Sequence, residues 1–132
     1  MHTLIGLHAA LGEAGALLFL WVLVEMLNPN EPRLRRARIA SFLGILFLIG
    51  AWIVGGFYYV TEYGAVVKPL IKSGPLPWAH SVITETKEHV FLFLPFLAIL
   101  TWGILSRYKD EFMQNRNLRM SVILISALIV FL

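Results

Sequence analysis

Residues 39–60 read IASFLGILFLIGAWIVGGFYYV. Across these 22 residues the only ionisable groups are the phenols of Tyr58 and Tyr59. A bilayer's hydrocarbon core is about 30 Å thick and takes about 20 consecutive apolar residues in a helix. The stretch is therefore read as a membrane-spanning helix, and the fold is read outward from it. Thr3 to Leu27 is a second span, interrupted by His8, Glu13 and Glu25. Ala79 to Leu105 is a third, polar in its first part and apolar afterwards, with Pro95 at a kink position. Met120 to Leu132 is a fourth. Its 13 residues rise only about 20 Å, so this helix is short or truncated, and the reading expects it to be continued or completed by another subunit. The fold class is thus all-α: one integral membrane domain over 1–132, an up-and-down four-helix bundle with helices at about 3–27, 39–60, 79–105 and 120–132.

The composition agrees. Hydrophobic residues make up 58% of the chain and charged residues 14%, against about 45–50% and about 25% in soluble domains. The mean hydropathy is +0.76. These figures exclude a soluble globular domain, a disordered segment and a nucleic-acid binder. The net charge of +3 is assigned to loops of a membrane protein, where Lys and Arg mark the cytoplasmic side. The chain has no cysteine, which removes disulfides, thiolate metal sites, Fe–S clusters and covalent haem attachment. No Gly-x-Ser-x-Gly, Walker loop or His-Glu-x-x-His is present, so hydrolase and phosphotransfer chemistry is not supported. The first segment lacks a basic start and a small-residue cleavage site, and is kept as a helix rather than a signal peptide.

Asn28-Pro-Asn-Glu-Pro-Arg33 ends the first helix, because proline and asparagine punctuate helices strongly. Thr61 to Trp78, with three prolines and two glycines, reads as the second connection, and Arg107 to Arg119 as the third. Arg33, Arg35, Arg36 and Arg38 load the first connection, and Arg107, Lys109, Arg116 and Arg119 load the third. The second carries only Lys68 and Lys72. The expected location is the cytoplasmic (inner) membrane, with the N-terminus and the second connection outside. Tyr58, Tyr59, Tyr63 and Trp78 suit an outer aromatic belt. His80, beside Pro77 and Trp78, is read as interfacial, and Glu25 and Glu62 as helix-end residues.

Ionisable side chains at membrane depth are costly and point to function. At 1.5 Å per residue His8 lies about 7 Å and Glu13 about 15 Å below the start of helix one, and Glu85 about 9 Å and Glu88 and His89 about 14–15 Å down helix three. All fall in the outer half. Glu85 and His89, four apart, share a helix face, and Glu88 lies on its edge. His8, Gly12 and Gly15 share a face that admits close approach of a helix or a flat cofactor. Glu13 points about 140° from His8.

Three chemistries follow. Glu85, Glu88, His89, Glu13 and His8 together suit a transition metal ion: iron, manganese, copper or zinc. Bundles hold such ions through inward Glu-x-x-His pairs, although here the i, i+3 partner of Glu85 is a second glutamate. Alternatively His8 and His89 ligate haem b, with the neighbouring glutamates or Lys87 fixing a histidine proton or meeting propionates; His2 and His80 are a further pair nearer the surface. The function expected is redox or electron transfer through one of these sites. The rival readings are a proton- or cation-coupled transport component, with Glu25 the sole exit group on the inner side, and a structural or accessory subunit with no cofactor. The partners expected are the lipid bilayer and either further copies of the chain or a larger membrane complex.

Overall fold

The computed structural model describes residues 2–132, with side chains from residue 3 onward, and is all-helical over that range. The side chain of His2 lies outside the described residues. Helix α1 spans His2–Leu27 and α2 spans Glu31–Tyr58. A π-helical stretch, Tyr59–Val67, runs without a break from α2 into α3, Lys68–Ser73. A second π-helical stretch, Ala79–Thr84, leads into α4, Glu85–Arg107, and α5 spans Arg116–Phe131. Counting continuous rods, the chain is four helices.

Two of the rods start where the sequence offers a side-chain cap. Asn30 Oδ1 accepts from the Arg33 N–H at 2.9 Å, and Pro32 sits in the first turn of α2, where its missing N–H costs nothing. Asn115 Oδ1 accepts from the Asn117 and Leu118 N–H groups at 3.0 and 3.2 Å and starts α5. These caps move two boundaries from their expected places. Arg33 to Arg38 form the opening turns of α2 instead of a loop, and α5 begins at Arg116.

The largest departure is at residues 61–73, expected as part of a connection and found helical, so that only Gly74 to Pro77 form the turn. Pro69 is the residue that argued for a loop. Its ring clashes with the carbonyl four residues back, and it has no N–H to give. It stands in the first turn of α3 directly behind the π-helical stretch, whose hydrogen bonds run five residues back: the Lys68 N–H reaches Tyr63 O. The widened turn carries the proline without ending the rod. The rod Glu31–Ser73 is 43 residues long, on the order of 60 Å.

The four rods form a ring. Packing follows the order α1, α2, α4, α5 and back to α1, with no close backbone approach across either diagonal among the described residues. Gly15 and Gly44 bring α1 and α2 together. A Cβ on Gly15 would lie 2.8 Å from Leu48 Cγ, and one on Gly44 would lie 2.7 Å from Phe19 Cε2. Each helix thus seats a large side chain of its partner on a glycine. Phe19, Val22, Met26, Leu34, Leu105, Phe112 and Val122 fill the core toward the arginine-rich end. There Glu25, buried in α1, receives Arg36 at 2.6 and 3.1 Å and the Trp21 indole N–H at 2.9 Å, with Arg33 Nε 3.6 Å away.

Thr3–Leu27, Glu31–Ser73 and Ala79–Arg107 are long and apolar enough to cross a membrane; α5, with 16 residues, is shorter. Large apolar side chains such as Leu17, Ile53, Val60, Phe93, Phe96 and Leu124 stand exposed around the outside.

Candidate functional site

The filled core gives way, toward the end carrying the two π-helical stretches, to a cavity of about 510 Å³ between α1, α2 and α4. This lies within the roughly 300–1,000 Å³ of small-molecule and cofactor sites. Its walls are mainly apolar and aromatic, with Ile5, Trp52, Gly55, Gly56, Phe91 and Leu92 among them. His8, Tyr59, Tyr63, Thr84, Lys87 and Glu88 supply its polar groups.

His8 crosses from α1 to α2. Its Nδ1 lies 2.9 Å from the Ala51 carbonyl oxygen. A carbonyl only accepts, so Nδ1 carries the proton and donates it, and in the neutral ring Nε2 keeps its lone pair. The ring meets Phe91 of α4 edge to face, with centroids 5.1 Å apart. The imidazole fits because residue 55 is glycine: a Cβ there would lie 2.7 Å from His8 Nδ1 and 2.8 Å from Cε1.

The second polar group of the site joins the two π-helical stretches. His80, on the second, is fully buried at 0% exposure. Its Nδ1 is 2.9 Å from the hydroxyl of Tyr63, on the first. The same hydroxyl is 3.2 Å from Thr84 Oγ1. His80 Nε2 lies 3.3 Å from Glu85 Oε1 without an aligned hydrogen bond, so it has no hydrogen-bond partner among the described residues. Tyr59 stacks on Tyr63 with centroids 5.2 Å apart and ring planes 23° from parallel.

The five residues expected to converge are distributed. His8 and Glu88 share the cavity. Glu85 turns to His80, its side chain 45% exposed. His89 is exposed on α4, and its Nδ1 donates to the Glu85 carbonyl oxygen at 2.6 Å. Glu13 is exposed on α1, in keeping with its angle from His8. Among the described residues no three His, Asp or Glu side chains are grouped so as to hold a metal ion. His80, read as an interfacial residue, is completely buried within the protein. The wider π-helical turns at Ala79–Thr84 and Tyr59–Val67 lay Tyr63 over it. Sequence reasoning passed over this pair because it put Tyr63 on a loop, and a π-helical register leaves no mark in residue type.

No protein-family model matches the sequence, and no significant similarity to a curated protein or a solved structure is found.

Proposed function

We propose that the chain is an integral membrane protein that holds haem b in the cavity, with His8 Nε2 as an axial ligand, and that it serves electron transfer. The observation that carries this reading is the hydrogen bond from His8 Nδ1 to the Ala51 carbonyl oxygen at 2.9 Å. Metal-ligating histidines almost always give their other ring N–H to a carbonyl or carboxylate, which fixes the tautomer and the ring orientation. Gly55 and Gly56 leave the adjoining wall flat, and Trp52 and Phe91 flank it. Lys87 at the cavity wall is suited to meet a propionate. A bare metal ion is the less supported version, because only His8 and Glu88 of the five candidate ligands line the cavity.

The membrane placement rests on the three long apolar rods and the exposed apolar side chains around them. The arginine-rich end carries Arg33, Arg35, Arg36 and Arg38 together with Arg107, Lys109, Arg116 and Arg119. It is the cytoplasmic end of a protein in the inner membrane, with the N-terminus outside. His89 has the same prepared tautomer as His8 but faces outward, so it would serve a cofactor shared with a second copy or a neighbouring subunit. Transport through the bundle has less support. Glu25, its one exit group on the inner side, is occupied by Arg36 and Trp21.

The test is an oxidised and a reduced visible spectrum of the detergent-purified protein, before and after addition of hemin, with elemental analysis of the same sample. One haem per chain, a Soret band that shifts on reduction, and its loss in His8→Ala but not in His89→Ala are the expected results. A protein that takes up no hemin overturns the reading. Stoichiometric iron, manganese, copper or zinc without a Soret band would return the bare-ion site. An empty protein would favour an accessory subunit.

A further inference from the structure

We infer that Tyr63, His80 and Glu85 form a proton relay that joins the cavity to the outer edge of the bundle. The relay is independent of which ligand the cavity takes. Its inner end is Tyr63, a residue of the cavity wall, whose hydroxyl reaches Thr84 Oγ1, on another wall residue, at 3.2 Å. Its middle is His80, fully buried, with Nδ1 2.9 Å from that hydroxyl and Nε2 3.3 Å from Glu85 Oε1. Its outer end is the Glu85 carboxyl, 45% exposed. A buried imidazole with a protic group against each nitrogen is the arrangement through which a proton can pass from one side of the ring to the other.

The Tyr63 hydroxyl has a single proton, and this gives the chain two polarities. When it donates to Thr84, it accepts from His80 Nδ1–H, and Nε2 is left to accept from a protonated Glu85. When it donates to Nδ1 instead, Nε2 carries the ring proton and faces the Glu85 carboxylate. Passage between the two moves one proton inward. Glu85 Oε1–H gives its proton to Nε2 and is reprotonated from bulk water, Nδ1–H gives its proton to Tyr63 Oη, and the former Tyr63 hydroxyl proton passes to Thr84 Oγ1 as Thr84 releases its own hydroxyl proton to water in the cavity. One proton has entered at Glu85, one has left at Thr84, and no other bond is made or broken. Rotation of the hydroxyl with return of the ring tautomer resets the chain. The ionisable groups facing it are Tyr59, stacked on Tyr63, and Glu88 and Lys87 at the cavity wall.

π-helical turns in α-helices occur frequently at functional sites, and here two of them meet on this one contact. A purely structural tie between the stretches would need the Tyr63–His80 hydrogen bond alone. It would not need a half-exposed carboxyl against the far nitrogen, nor a buried Nε2 without an aligned partner, which itself costs stability.

The experiment is the exchange rate of the His80 ring N–H with bulk water. It is measured by magnetisation transfer on the ¹⁵N-histidine-labelled full chain in lipid nanodiscs, with no ligand added, so failure to bind haem does not affect it. Rapid exchange is expected in the wild type despite complete burial, and slowing by about tenfold or more in Glu85→Gln, which removes the one carboxyl beside Nε2 that can take up and release a proton. Tyr63→Phe removes only the cavity end and should leave this exchange near wild type. If Glu85→Gln fails to fold, Glu85→Asp replaces it: the carboxyl is withdrawn by about 1.5 Å, one C–C bond, and the same slowing is expected. A wild-type His80 N–H that does not exchange, or a Glu85 variant that exchanges at the wild-type rate, overturns the relay.

Discussion

Gly55→Ala should destabilise the bundle, and His8→Ala should reverse its sign. A Cβ at position 55 would lie 2.7 Å from His8 Nδ1 and 2.8 Å from Cε1, against 3.4 Å at the near edge of ordinary contact, so the ring must retreat by about 0.7 Å. Phe91 limits that retreat from α4, and the move stretches the bond to the Ala51 carbonyl. Overpacking of this kind costs about 1–3 kcal/mol. The strained or lost hydrogen bond adds about 0.5–1.5 kcal/mol. Replacing glycine by alanine within a helix returns about 0.5–1 kcal/mol. The net expectation is a loss of about 0.5–4 kcal/mol. In a His8→Ala background no close clash is left, since the three atoms nearest the added carbon all belong to His8 and any other lies no closer than 3.5 Å, an ordinary contact. There the same substitution should stabilise by about 0.5–1 kcal/mol. The coupling of about 1.5–4.5 kcal/mol is several times the usual additivity error of about 0.3–0.5 kcal/mol. Reversible unfolding of the four proteins in mixed micelles measures it. Gly50→Ala is the control, because its Cβ would meet Leu11 Cδ1 at an ordinary 3.6 Å. Equal effects of Gly55→Ala in both backgrounds would refute the placement of His8 against α2, and with it the tautomer argument for Nε2.

Two further outcomes follow from the packing between α1 and α2. Phe19→Ala removes a fully buried ring seated on Gly44, and should cost about 3–5 kcal/mol in the same unfolding assay. Arg36→Ala leaves the Glu25 carboxylate, 8% exposed, with only Trp21 and a more distant Arg33. Because the Arg36 side chain is itself 47% exposed, solvent screens the pair and the expected loss is smaller than that of a fully buried pair. The double variant with Glu25→Gln should lose less than Arg36→Ala alone, since no buried charge is stranded.

The rods were legible wherever a physical signal is written in residue type. Ile39 to Val60 lies inside the second rod as read, because an uninterrupted apolar run of that length has few alternatives. The ends were less legible, because the signal for a boundary is weak against the cost of ending a helix whose interior is sound. Arg33 to Arg38 looked like a loop by charge, yet Asn30 caps the helix before them and Pro32 is tolerated in its first turn. Pro69 looked like a terminator, and a π-helical turn absorbs it.

The candidate site divides along the same line. The wheel argument that separates Glu13 from His8 by about 140° assumes a regular period, and α1 keeps that period, so Glu13 stands outward as expected. Across residues 79–84 the helix is π and the period lengthens, and there His80 is fully buried between Tyr63 and Glu85. What a linear reading can supply is therefore the inventory of groups and their approximate depth. Which groups touch depends on the two π-helical stretches, whose longer period a regular helical wheel does not follow. The contrast between His8 and His89 makes the point at atomic scale. Both give Nδ1–H to a backbone carbonyl and keep Nε2 free, so their residue chemistry is the same. The first lines the cavity while the second stands exposed on α4, and the acceptor that holds the first there, Ala51 O, lies 43 positions away in sequence.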